Sequence, residues 1–297
     1  MRLATLLLLA DGRLPSGGHA HSGGLEAQVS AGRVRDVAGL ARFLRGRLAT
    51  TGLVTAAFTA ATCHRPGEWP TLDEALDART PSPALRKASR AQGRALIRAG
   101  HAMWPVAALF PPAPAHKTTA PAAPPTPTKA TPATPAGPAP QAGPAPRAGP
   151  VPQAGPPAHV NHHDSTGSTG STRSAFSPLS IGSTGGAGVV AAPREPHHPV
   201  ALGILAAAAG LGPAEAAVAA AHGTVTGPAS AAVRLLGLDP YAVHALLAQL
   251  AGECDRIAAD AAARADAPAD DLPAAGAPLL DIGAELHATW EVRLFAS

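Results

Sequence analysis

Three places in this 297-residue chain gather side chains that could do chemistry. The first is Pro15-Ser16-Gly17-Gly18-His19-Ala20-His21-Ser22-Gly23-Gly24-Leu25-Glu26. Two imidazoles and a carboxylate so close together are donors that can hold a transition metal. His19 and His21 are two residues apart, however, and would point to different sides of a helix, so they could share an ion only from a loop or strand. The H-E-x-x-H register of a catalytic zinc helix is absent. The residues favour a structural role, with His21 and Glu26 hydrogen-bonding a tight helix junction opened by the glycines. A metal-binding protein or metal-dependent enzyme using His19, His21 and Glu26 is the rival reading. The second place holds His159, His162, His163 and Asp164, then His197 and His198. Such imidazoles would take up Ni(II), Cu(II) or Zn(II), but without preformed geometry the uptake is adventitious. The third is the C-terminus: Leu279-Leu280-Asp281-Ile282, then His287, then Arg293-Leu294-Phe295-Ala296-Ser297. A terminal Phe in a chain only 3% aromatic is costly to leave in water, so Phe295 should dock on its own body or on a partner. No Ser or Cys joins a His and a carboxylate in a readable triad, and no phosphate-cradling glycine loop occurs.

The elements that must position these residues read as helices. Asp36 is an apt N-cap, and Val37, Leu40, Leu44 and Leu48 follow at helical spacing. Residues 83–102 open with Pro and place Leu85, Ala88, Ala95, Leu96 and Ala99 on one side, with Arg86, Arg90, Arg94 and Arg98 on the other. That basic stripe favours a solvated face or the partner of the acidic C-terminal half over a docking strip for an acidic protein. Further helices are expected at 199–210, 213–222, 229–236 and 239–265, the last capped by Asp239 with Pro240 at its first position. No segment alternates like a strand. The fold class is therefore all-α, a single helical-bundle-like domain interrupted by a long disordered Pro/Gly/Ser-rich insertion.

That insertion spans 111–196 and separates an N-terminal helical half, 1–110, from a C-terminal half, 197–297. It contains three near-copies of A-G-P-[AV]-P-[QR] from Ala136 to Gln153, which fix φ and remove donors. Gly-Ser-Thr repeats follow between Ser165 and Thr172. The first 110 residues carry 14 basic against 7 acidic side chains, and the last 101 carry 4 against 11. Opposite charge suits two halves of one domain. The shortage of aromatics argues against a nucleic-acid platform. Two distant cysteines, Cys63 and Cys254, suit a reducing, cytoplasmic home. The apolar run at the start is short and lacks a clear cleavage site, so it reads as a first helix rather than a signal peptide, and no run reaches membrane-spanning length.

The ordered motifs resemble the urease accessory protein F (UreF) family. That family carries P-x-G-G-F-x-H-S-x-G-L-E near its start, matched by Pro15, Gly17, Gly18, His21, Ser22, Gly24, Leu25 and Glu26, with His19 replacing the usual aromatic. It closes with D-I, a His and R-L-F-x-S, matched by Asp281, Ile282, His287, Arg293, Leu294, Phe295 and Ser297. His198-Pro199-Val200 with Gly203 resembles its Y-P-V-x-x-G helix start, and Ala232-Val233-Arg234-Leu235 its A-x-R-L helix. The resemblance implies an all-α, non-catalytic adaptor, typically a homodimer and itself without a cofactor. It would bridge UreD (also called UreH) and the GTPase UreG on apo-urease during nickel insertion. It also implies that His21, Ser22, Glu26, His287, Arg293, Leu294, Phe295 and Ser297 serve partner binding, the tail becoming ordered against UreD.

Overall fold

A helix with no polar face lies at the centre. In this computed structural model, which describes residues 2–12, 14–15, 18–104, 106 and 195–295 (His19 by its main chain only), α4 (Leu53–His64) is buried at every position from Val54 to Cys63 except Thr55. A helix apolar on all sides belongs inside a bundle, and its alanines let neighbours come close. α7 (His198–Ala208), α8 (Pro213–Leu236) and α9 (Pro240–Ala262), all from the far end of the sequence, pack directly on it. Both flanks of the chain thus contribute to one core and belong to one unit. A Cβ on Gly203 would come within 2.6 Å of the Thr59 carbonyl oxygen, so α4 and α7 meet nearly backbone to backbone. Apart from Glu195 and Pro196, the expected insertion lies outside the described residues.

The remaining elements wrap this centre. α1 (Leu3–Ala10) buries Leu6 and Leu9, and α2 (Leu25–Ser30) follows the glycine-rich motif. α3 (Val37–Arg47) starts where Asp36 accepts the Gly39 N–H at 2.6 Å and buries Leu40 and Leu44, as their spacing predicts. It runs through a π-helical turn at Leu48–Gly52 into α4. α5 (Trp69–Ala78) leads to α6 (Pro83–Met103), capped by the Ser82 hydroxyl. α10 (Pro278–Ala288) packs on α2 and α6. Among the described residues there is no strand, and no helix is long and apolar enough to cross a membrane.

Three departures from the sequence expectations have physical causes. α6 buries Gly93, Leu96, Ile97 and Gly100, a line rotated from the expected apolar side. Gly93 admits the incoming Pro196 backbone and Gly100 admits Leu205, so glycines rather than leucines mark the contact. α8 is a single helix over Pro213–Leu236 where two were expected, with Pro228 inside it. An internal proline orphans the carbonyl four residues earlier. Here that carbonyl, on Thr224, accepts from Arg47 Nε at 3.3 Å, while the buried Pro228 ring faces Gly23. The opposite charges of the two halves are not expressed mainly as ion pairs. Arg45 approaches Glu253 at only 3.9 Å, whereas Arg65 donates to the Ala267 carbonyl and Arg79 to those of Ala269, Asp270 and Leu272.

Candidate functional site: a carboxylate joining the two chain ends

The sharpest polar arrangement is centred on Glu26. Gly23 and Gly24 adopt left-handed φ values of 60° and 86°, which turn the chain abruptly into α2 and set Glu26 in its first turn. Ser22, itself buried, accepts the Glu26 N–H through its hydroxyl at 3.3 Å. The Glu26 carboxylate is buried and both its oxygens are engaged by the C-terminus. Oε2 meets His287 Nε2 at 2.9 Å and the Phe295 N–H at 3.0 Å, and Oε1 takes the Leu294 N–H at 2.9 Å. Hydrogen bonds to an ionised acceptor are among the stronger ones, and here they compensate the carboxylate for lost water.

His287 is held from its other side by Trp290, whose ring stands edge-on at 4.7 Å between centroids. Phe295 is buried beneath the Arg234 guanidinium of α8, 4.3 Å from its ring centroid. Val292, Arg293 and Leu294 are left facing solvent, Leu294 at 72% exposure. Of the expected site residues, Ser22, Glu26, His287 and Phe295 therefore form an internal frame, while Arg293 and Leu294 form the surface it holds up. The tail docks on its own body, the first of the two expected outcomes for Phe295. Ser297 lies outside the described residues, as do His159, His162, His163 and Asp164.

His21 lies close enough to His198 for their charges to interact. Burial first, and then the His21 charge, push His198 down to about 4. Among the described residues no three His, Cys, Asp or Glu side chains come together as a metal site would require. Cys63, raised to about 12 by burial and then by Glu215, is an inert core thiol.

A second polar cluster, missed in the sequence, anchors the chain where it re-enters the fold. The Arg90 fork reaches Asp73 at 2.9 Å and Asp77 at 2.7 Å. His197, fully enclosed, donates its N–H to Asp73 at 2.7 Å, and its ring meets Asp77 at 2.9 Å. Burial works to raise Asp77, but the hydrogen bonds from Arg90 and His197 outweigh it and hold the carboxyl below its usual range. Arg94 pairs with Glu195. The basic stripe on α6 is thus taken up largely by α5 and by the re-entering segment, not by the acidic C-terminal half. Its basic side showed in the sequence as the arginine stripe; on the acidic side the signal was the i, i+4 spacing of Asp73 and Asp77.

These features define an all-helical protein in which one buried carboxylate ties a glycine-rich N-terminal motif to the C-terminal segment. Comparison with known proteins gives that class a family. A model of the UreF family matches residues 34–251. The chain is 36% identical over 295 residues to the urease accessory protein UreF of Mycobacterium sp. (strain JLS), with 99% of each covered. It is 35% identical over 300 residues to that of Mycolicibacterium vanbaalenii and 33% identical over 297 residues to that of Mycobacterium tuberculosis, again over 99% of each. The chain belongs to the UreF family of urease accessory proteins. The family model covers neither the Glu26 motif nor the tail, whereas the full-length relatives align across both.

Proposed function

We propose that this protein is a non-catalytic adaptor in urease maturation, working in the cytoplasm as a homodimer. It links UreD (UreH) and the GTPase UreG to apo-urease, so that GTP hydrolysis by UreG is coupled to nickel delivery. The observation that supports this reading is the Glu26 arrangement. A buried carboxylate holds residues from both ends of the chain and leaves Val292, Arg293 and Leu294 outward. A fixed apolar-basic edge of this kind suits recognition by another protein. Ser22, Glu26, His287 and Phe295 position the edge, Arg293 and Leu294 make the contact, and His21 and Ser297 are assigned to partner binding on the family motif alone.

The test is co-expression with cognate UreD and UreG, followed by size-exclusion chromatography with GTP and magnesium. The intact chain should co-elute with both. Removing Arg293–Ser297 should abolish co-purification with UreD while the far-UV circular dichroism is unchanged. Leu294→Asp, which keeps the backbone bonds to Glu26, should weaken the complex by about tenfold or more, as loss of an interface anchor does. Unchanged complex formation by both variants would overturn the assignment of the tail.

A further inference from the structure

Arg47 is a desolvated cation without a carboxylate partner. Its Nε donates to the Thr224 carbonyl at 3.3 Å and its Nη1 to that of Gly23 at 2.8 Å. Burial lowers its pKa to about 10, so it remains charged at neutral pH. Two neutral carbonyls satisfy donors but do not neutralise the charge of this half-buried side chain, which leaves it suited to a counter-ion from the cleft.

The same side chain lines an open cleft of about 280 Å³ between α3 and the start of α10. Phe43, Pro278, Leu279 and Leu280 make its apolar walls, and Arg42 adds a second guanidinium. Arg42 is exposed and, among the described residues, neither arginine is in an ion pair. No carboxylate lines the cleft. Glu26 is engaged by the tail, and Glu285 is turned away to cap α6 through Ser82 and the Ala84 N–H. Asp281 does not line the cleft either, and the charge it feels is that of Glu285. The cleft therefore pairs two uncompensated cations with an aliphatic-aromatic wall.

We propose that this cleft docks an acidic segment of another protein, whose carboxylate meets Arg47 and Arg42 while an adjoining aliphatic side chain packs on Phe43 and Leu279. Charge complementarity carries the choice of occupant. The chain's own residues 107–194 contain one acidic side chain, Asp164, set among histidines, so they do not fit. The inference does not depend on which proteins the chain bridges.

The experiment uses the full-length protein and two pentapeptides, acetyl-Ala-Leu-Glu-Leu-Ala-amide and its Gln counterpart, followed through the arginine Nε–H signals by NMR. The Glu peptide should shift the Arg47 signal and bind about tenfold more tightly than the Gln peptide, the scale of a charge-assisted pair. Arg42→Gln should narrow that difference. Arg47 also supports α8, so its replacement would confuse binding with folding; Gly46→Leu avoids this. A Cβ on Gly46 meets nothing within 4 Å, yet the residue lines the cleft, so leucine should fill it and abolish binding in a folded protein. Equal binding of the two peptides, no binding, or binding unaffected by Gly46→Leu would overturn the proposal. So would loss of self-association in Gly46→Leu without peptide binding, which would identify the occupant as a second copy.

Discussion

Glu26 shows what a residue type reveals and what it withholds. The motif near the start was legible as unusual, and a structural role for Glu26 followed from glycine density and the missing zinc register. Its partners were not legible, because His287, Leu294 and Phe295 lie 261, 268 and 269 residues away. Glu26→Gln keeps the size but removes the charge and replaces an acceptor oxygen by a donor. It should lower stability by about 2 kcal/mol. It should also release residues 290–295 to rapid amide exchange, which mass spectrometry would read; unchanged protection of the tail would refute the assignment. His198 gives a second residue-scale prediction. Its folded pKa, about 4, lies below the ordinary 6.5, so the unfolded chain binds the proton first as pH falls. The stability it contributes is complete above about pH 6.5 and is lost as pH falls toward 4. His197 is depressed in the same direction, by burial. Denaturation at pH 7 and pH 4.5 should show the wild type losing on the order of 1–3 kcal/mol more than His198→Gln. Equal losses would show that His198 does not titrate as described.

At the scale of elements, caps, prolines and apolar spacing marked out α3, α6, α7 and α9 but not α4, α5 or α10. α7 is buried from Pro199 to Ala206 much as α4 is, yet Pro199 and Gly210 bracket it in the sequence. α4 carries Ala, Thr and Val on every side because it is enclosed on every side, so periodicity had nothing to register. The sequence divides α8 between residues 222 and 229, where Gly223, Gly227 and Pro228 locally favour a break; Arg47 from another helix supplies the donor that Pro228 lacks. Glycines follow the same division between local and tertiary causes. Gly93→Ala would place a Cβ 2.0 Å from the Pro196 carbonyl oxygen, so the backbone must move, and the expected cost is about 2–3 kcal/mol. Gly252→Ala, on the exposed side of α9, meets nothing within 4 Å and should stabilise by about 0.5–1 kcal/mol through helix propensity. Urea titrations of the two variants check both signs, and a shared sign would contradict the packing assigned to α6.

For the whole molecule, the question is how a core shared by two sequence-distant flanks tolerates the long stretch between them. The answer lies in the anchor at the re-entry point. Glu195 meets Arg94, His197 is held by Asp73 and Asp77, and the Pro196 backbone presses on Gly93, all on α5 and α6 of the first flank. The second flank is therefore positioned by contacts, not by the length of chain that precedes it. Arg94 is nine residues before the end of α6, a distance of about 14 Å along the helix. Removing residues 115–190 would leave 12 residues between Val106 and Glu195, which can span up to about 40 Å. The shortened chain should fold, and the smaller loop-closure entropy should favour it by about 1–2 kcal/mol. Thermal unfolding should thus show a midpoint equal to or above that of the intact protein, with the UreD co-purification preserved. A shortened protein that unfolds earlier would mean that residues 115–190 contribute contacts to the core. One that folds normally but no longer binds would place the partner on that segment instead of on the tail held by Glu26.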